Sequence, residues 1–209
     1  MNTKERRSNY EFMKCQMQKE FLKYDQDSMV RKFHLNYDAE YIYMTFLSRI
    51  YRIGRNDGIV WWSEDNFVNV TEAGYNEAMT IYDVLCYSRE NCGPSGEFVN
   101  MKSLSAIQGG SMAVGTGFVG KIEKLFDHND EALSRACERL NGTRSGKGDV
   151  AYQIPIFDFL MCRIQFWNSD EEFQPSLQIF VDKHILEYMH YETMWLAVSH
   201  LMSRLQEQM

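Results

Sequence analysis

Apolar positions in residues 3–24 recur at intervals of three and four (Tyr10, Met13, Met17, Phe21, Tyr24) with charged residues between them. That spacing predicts an amphipathic helix. Thr3 is its expected N-cap, and the polar stretch Asp25-Gln26-Asp27-Ser28 its expected stop. From residue 33 to 62 the period shortens to runs rich in Tyr, Ile, Val and Phe, which reads as strands. Asn56-Asp57-Gly58 between two such runs is a hairpin signal, because Asn and Gly tolerate the positive φ of a tight turn.

Residues 74–91 return to a helical period and stop before Gly93-Pro94-Ser95-Gly96. A short extended piece is expected at 98–101, then helices at about 112–126 and 130–140, the latter closed by Asn141-Gly142 as a left-handed cap. Residues 143–148 read as a flexible loop. Strands are expected at 150–157, 159–167 and 177–181, with a turn at 169–175, and a final helix at about 191–206. The prediction is an α+β fold, a mainly antiparallel sheet flanked by helices. It is expected as a single domain over residues 33–209, with residues 1–32 as an N-terminal helical extension.

The 209 residues are 44% hydrophobic and 24% charged, which excludes disorder. No apolar run approaches the roughly 18 residues of a membrane span. Net charge is −7 and the pI about 5.3, so neither nucleic acid nor a membrane is an expected partner. The exception is residues 1–32, with eight Lys or Arg against five Asp or Glu; they are net +3 and leave −10 for the rest. Docking of this helix onto the acidic body is expected, with a partner or membrane surface as the alternative. No apolar segment follows the first charged residues, so a cytoplasmic location is expected. The five cysteines are scattered without a CxxC, which encodes neither a disulfide framework nor a thiolate metal site; they read as core fillers or incidental surface thiols.

Residues 115–121, Gly-Thr-Gly-Phe-Val-Gly-Lys, satisfy the spacing of two phosphate-binding loops. The context opposes both: Ile122 stands where a Walker loop needs Ser or Thr, and no buried strand precedes Gly115. The reading is a packed helix, with nucleotide binding as a minor alternative. In HxxExxH, His184 and His190 lie about 240° apart on a helix and share no ligand face. A metal site from Asp182, His184 and Glu187 is a further minor alternative.

Candidate chemistry concentrates in the last third. Asp149, Asp158, Asp170, Glu171, Glu172, Asp182 and Glu192 fall near strand ends, where paired carboxylates could act as acid and base or hold a metal. Trp61-Trp62 and Phe166-Trp167 put neighbouring rings on opposite strand faces, one of each pair expected buried. With 13 Met, such rings could form a groove for a planar ligand or a partner helix.

Several tracts carry a family likeness: Phe98 to Leu104 with Gly109-Gly110 after it, Gly148-Asp149, Ile154-Pro155-Ile156, and above all Phe166-Trp167-Asn168-Ser169-Asp170-Glu171-Glu172-Phe173-Gln174-Pro175. With Asp182 at a strand end and Glu192 opening the last helix, this order resembles an uncharacterised bacterial family found mostly in anaerobes, domain-of-unknown-function family 3786. The likeness runs from about residue 33 to 205 and departs in the lead helix and at Val181 and Lys183. It carries no established activity. Some members look joined to a four-cysteine iron–sulfur domain akin to that of corrinoid methyl-transfer proteins, so the resemblance implies, by analogy, a role near corrinoid or other tetrapyrrole chemistry. This chain has no such cysteines.

The expected function is a non-catalytic ligand- or partner-binding accessory module. The expected ligand-binding residues are Asp149, Trp167, Asp170, Glu171, Glu172, Phe173 and Asp182, bordering one hollow. The alternative is a metal-dependent or acid/base enzyme using Asp149, Asp170, Glu172 and Asp182. The residues assign neither cofactor nor ligand.

Overall fold

Antiparallel strand pairs organise both halves of the chain. The computed structural model describes residues 3–108 and 116–209, and the side chains of residues 9–104 and 121–209. They fall into two compact units: residues 1–93 with 186–200, and residues 94–185 with 201–209.

The first unit begins with helix α1 (Thr3–Phe21). Asp25, in the expected stop, also starts a second helix that the sequence pattern does not show: its carboxylate accepts the amides of Asp27 and Ser28 and caps α2 (Gln26–Phe33). The strands β1 (Asn36–Tyr37), β2 (Tyr41–Phe46), β3 (Arg49–Gly54), β4 (Val60–Ser63) and β5 (Thr71–Glu72) pair in that order, all antiparallel. The expected hairpin joins β3 to β4, with Gly58 at φ 72° and its amide bonded to the Gly54 carbonyl. A Cβ at Gly58 would also lie 2.7 Å from the Gln18 carbonyl, so only glycine fits this corner.

β2 alternates without a break, burying Ile42, Met44 and Phe46 and leaving Tyr41, Tyr43 and Thr45 on the opposite face. Helix α3 (Tyr75–Tyr87) buries Ile81, Tyr82, Val84 and Leu85, and α1 packs along it. As the charge asymmetry led us to expect, α1 docks through a basic residue: Lys14 Nζ meets Glu72 at 2.7 Å. Beside that pair, Tyr10 lies against Tyr75 and Gln18 donates to the Asp57 carbonyl.

The second unit runs through β6 (Phe98–Asn100), α4 (Met101–Gln108), α5 (Thr116–Phe126), α6 (Asp130–Arg139), β7 (Thr143–Arg144), β8 (Val150–Phe157), β9 (Leu160–Trp167) and β10 (Ser176–Asp182). β7 pairs with β8, β8 with β9, β9 with β10, and β10 with β6, again all antiparallel. Asn141 takes the left-handed position after α6, and the Gly142 amide bonds the Cys137 carbonyl, the cap the sequence predicted. The expected flexible loop at 143–148 instead contributes β7. Two short helical elements, α4 and α7 (Ile185–Tyr188), lay below the length at which periodicity is readable. The last helix, α8 (Tyr191–Gln208), gives residues 191–200 to the first unit and the rest to the second.

All five cysteines are free. Burial pushes the thiols of Cys86, Cys137 and Cys162 up to about 12. A disulfide-exchange reagent at pH 8 should therefore label the exposed Cys15 first and reach Cys137 and Cys162 only after denaturation. Simultaneous release of all five from native protein would contradict this packing. No helix among the described residues is long and apolar enough to cross a membrane.

Candidate functional site

The strand β9 carries Phe166 into the core and turns Trp167 outward, half-buried, as strand alternation predicts. Trp61 and Trp62 break that expectation, since both are half-buried. They sit in the middle of β4, paired with the two-residue edge strand β5.

Past Trp167 the chain enters a turn fixed by carboxylates. Asp149 accepts the Asn168 amide at 2.7 Å while its own amide donates to the Phe166 carbonyl. Asp127 accepts the amide and the hydroxyl of Ser169 at 2.8 and 2.7 Å. Those two bonds hold the Asp127 carboxyl below its usual range. Asn168 donates to both oxygens of Asp130 and accepts from the His128 amide. Asp170 closes the next turn, accepting the amides of Glu172 and Phe173 at 2.8 and 2.7 Å. Asp127, His128, Asp130, Asn168 and Ser169 were not among the expected site residues, although Asn168 and Ser169 lie in the tract that carries the family likeness. For the other three the signal was the run of Asp and Asn ahead of α6, and it reads equally as ordinary helix-start chemistry.

Ser169 Oγ, His128 Nε2 and Asp127 lie together, but not as a nucleophile relay. The hydroxyl already donates to the carboxylate, and the imidazole stands 3.4 Å away with most of its ring in solvent. Here the carboxylates serve as acceptors for the turn. They hold Glu171, Glu172 and Phe173 out from the protein, with Phe173 67% exposed.

Asp182 does not join this group, and the expected common hollow is corrected accordingly. Trp167 pairs with Ser176 at one end of β10, and Asp182 pairs with Phe98 at the other. Six residues of strand separate the two ends by roughly 20 Å. Asp182 is only 3% exposed and has its own occupants. One oxygen takes the Ser95 amide, the Ser95 hydroxyl and the His184 amide; the other takes the Gly96 amide. Burial alone would raise its pKa, but the amides of His184, Ser95 and Gly96 and the Ser95 hydroxyl outweigh it and hold the carboxyl below its ordinary value. The separation also divides Asp149, Asp170 and Glu172 from Asp182, so the four do not form one acid/base or metal centre.

Among the described residues no group of three His, Cys, Asp or Glu is arranged to hold a metal ion. His190 is engaged elsewhere: its Nδ1 and its amide both meet the buried Asp83 carboxylate, at 2.6 and 2.7 Å, which ties the start of α8 to α3. Gly115 and the side chains of residues 116–120, the core of the phosphate-loop reading, lie outside the described residues. The backbone from Thr116 onward is the helix α5.

Buried polar groups also gather in the first unit. The Glu77 carboxylate takes the Tyr51 hydroxyl at 2.6 Å and the Gly74 amide at 2.6 Å, with Arg49 at 3.5 Å and His200 at 3.6 Å. Burial, followed by the charge of Glu77 and its hydrogen bond, pushes the Tyr51 phenol far above its ordinary pKa. None of these groups is offered to solvent, so the cluster is a structural tie between β3, α3 and α8.

The family described as Domain of unknown function (DUF3786) matches residues 25–204 of this chain. No curated protein and no solved structure matches.

Proposed function

We propose that this chain, which belongs to the DUF3786 family, is a non-catalytic binding module whose contact element is the loop between β9 and β10. The observation that carries this reading is Phe173, 67% exposed on a turn pinned by the carboxylates of Asp127, Asp149 and Asp170. Burying a phenyl group in a partner gains about 1.5–3 kcal/mol. A preformed loop avoids much of the ordering cost that binding otherwise carries. Glu171 and Glu172 flank the ring, so the partner surface it fits is an apolar pocket rimmed by Lys or Arg. Trp167 lines the base of the same loop. Asp182, committed to its own amides, is left out of the contact set.

A photo-cross-linking residue placed at position 173 should yield one discrete adduct in cells. The adduct should disappear when Glu171 and Glu172 are both changed to Lys. The same probe at position 131 on α6, an equally open site, should yield none. Equal labelling at the two positions, or indifference to the charge reversal, would count against the reading. The tetrapyrrole association that the family resemblance implies has its own test in native mass spectrometry with hydroxocobalamin, where a retained adduct sensitive to Phe173→Ala links the ligand to this loop.

A further inference from the structure

On the outer face of the first unit's sheet, Arg52 occupies the centre of an aromatic group. Its register partners are Tyr43 on β2 and Trp61 on β4, which therefore share its face. The guanidinium carbon lies 4.2 Å from the ring centre of Tyr41 and 4.8 Å from that of Phe67. No hydrogen bond or ion pair of the Arg52 side chain occurs among the described residues, and its Nε is buried with no partner. A guanidinium carries five donors in a fixed fork that matches a carboxylate. Two rings pack on that fork, and its Nε is left without an acceptor, at a cost of about 1–3 kcal/mol for a buried donor.

The segment that supplies Phe67 is built at a cost as well. Asn66 and Phe67 both adopt left-handed backbone, φ 54° and 64°, a region that a bulky aromatic rarely enters. Ser63 and Asp65 hold it there. Ser63 Oγ accepts the Phe67 amide at 2.9 Å, while Asp65 accepts the Ser63 hydroxyl and both nitrogens of Asn69. The Ser63 hydroxyl, with the two Asn69 bonds, brings the Asp65 carboxyl down to about 2. The outcome of this network is a phenyl ring over Arg52.

We infer that Arg52, with Tyr41, Phe67 and Trp61, forms a binding site for a small planar aromatic monocarboxylate: the carboxylate on the guanidinium fork, the ring against the aromatic side chains. Charge selects the monoanion. Asp38 stands close enough for Arg52 to help lower its pKa, and its oxygens are taken by the Tyr43 hydroxyl and the amides of Glu40 and Tyr41. Asp38 offsets much of the Arg52 charge, so the second negative charge of a dianion adds repulsion that a single carboxylate does not meet, and a phosphate monoester is disfavoured relative to a monocarboxylate.

The test compares three probes that share one naphthyl ring on the full chain by isothermal titration calorimetry: 2-naphthoate, the neutral 2-naphthamide and 2-naphthyl phosphate. Saturable binding of 2-naphthoate at one per chain is expected, at least tenfold tighter than either other probe. Arg52→Gln should weaken it at least tenfold, as should Phe67→Leu. No saturable binding, amide or phosphate bound as tightly as carboxylate, or an unaffected Arg52→Gln would each overturn the inference. The ranking of the three probes on the unmodified protein decides the matter even if a variant fails to fold.

Discussion

Glu77→Ala should destabilise the chain more than any surface change, by about 3–5 kcal/mol, the usual cost of removing one member of a buried ion pair. The side chain sits in the first turn of α3, where one oxygen receives the Gly74 amide and the other the Tyr51 hydroxyl. Alanine would strip Tyr51, fully buried, of one of its partners and remove the carboxylate that faces the buried guanidinium of Arg49. It would also delete the return half of the cap that starts α3. Glu77→Gln keeps an acceptor for one of these donors and should cost less than half as much. Urea denaturation followed by circular dichroism measures both. A loss below about 1 kcal/mol for the alanine variant, within the range of ordinary substitutions, would show that the cluster is not the tie described.

Asp182→Asn should cost about 2–4 kcal/mol at neutral pH, judged from the strength of hydrogen bonds to a charged acceptor. The substitution preserves shape, but turns one oxygen into an NH2 group facing an amide donor, at Gly96 or at Ser95 and His184. The segment around residues 95–97 would come away from the end of β10, and hydrogen exchange there should rise. The pH dependence has a definite sign. Because the folded-state pKa lies below the ordinary value of 3.8, the stabilisation is complete above that value and is lost as pH falls through the lower, folded one. Wild type and variant should therefore differ clearly at pH 7 and converge in strong acid. A difference that stays constant down to the acid transition would mean that the carboxylate's charge plays no part.

Both predictions rest on carboxylates that the sequence displays without disclosing their use. Asp182 was legible as a conspicuous acid at a strand end, yet its meaning changed once the strand register was known. Glu77 attracted no notice, because a Glu three residues into a helix is common and Tyr51 and His200 are 26 and 149 positions away from their partners. Asp83 and His190 meet across 107 residues and were likewise invisible as a pair. Arg52 shows the converse. Nothing in its neighbourhood in sequence announces that three strands and a strained loop will surround it with rings and leave its buried Nε without a partner.

By itself the amino-acid sequence determined what depends on short-range periodicity and turn chemistry. That includes the α+β class with antiparallel strands, the β3–β4 corner at Gly58, the left-handed stop at Asn141, the inward Phe166 beside the outward Trp167, and the family likeness carried by residues 166–175. Tertiary structure alone decided which of those marked residues act together. A seven-residue strand set Asp182 apart from the loop that holds Phe173, and strand pairing brought Tyr41, Arg52 and Trp61 onto one face. The physical reason is one of range. Backbone propensity and side-chain alternation are fixed by neighbours a few residues away, whereas hydrogen-bond partnership is fixed by register and packing between segments far apart in the chain.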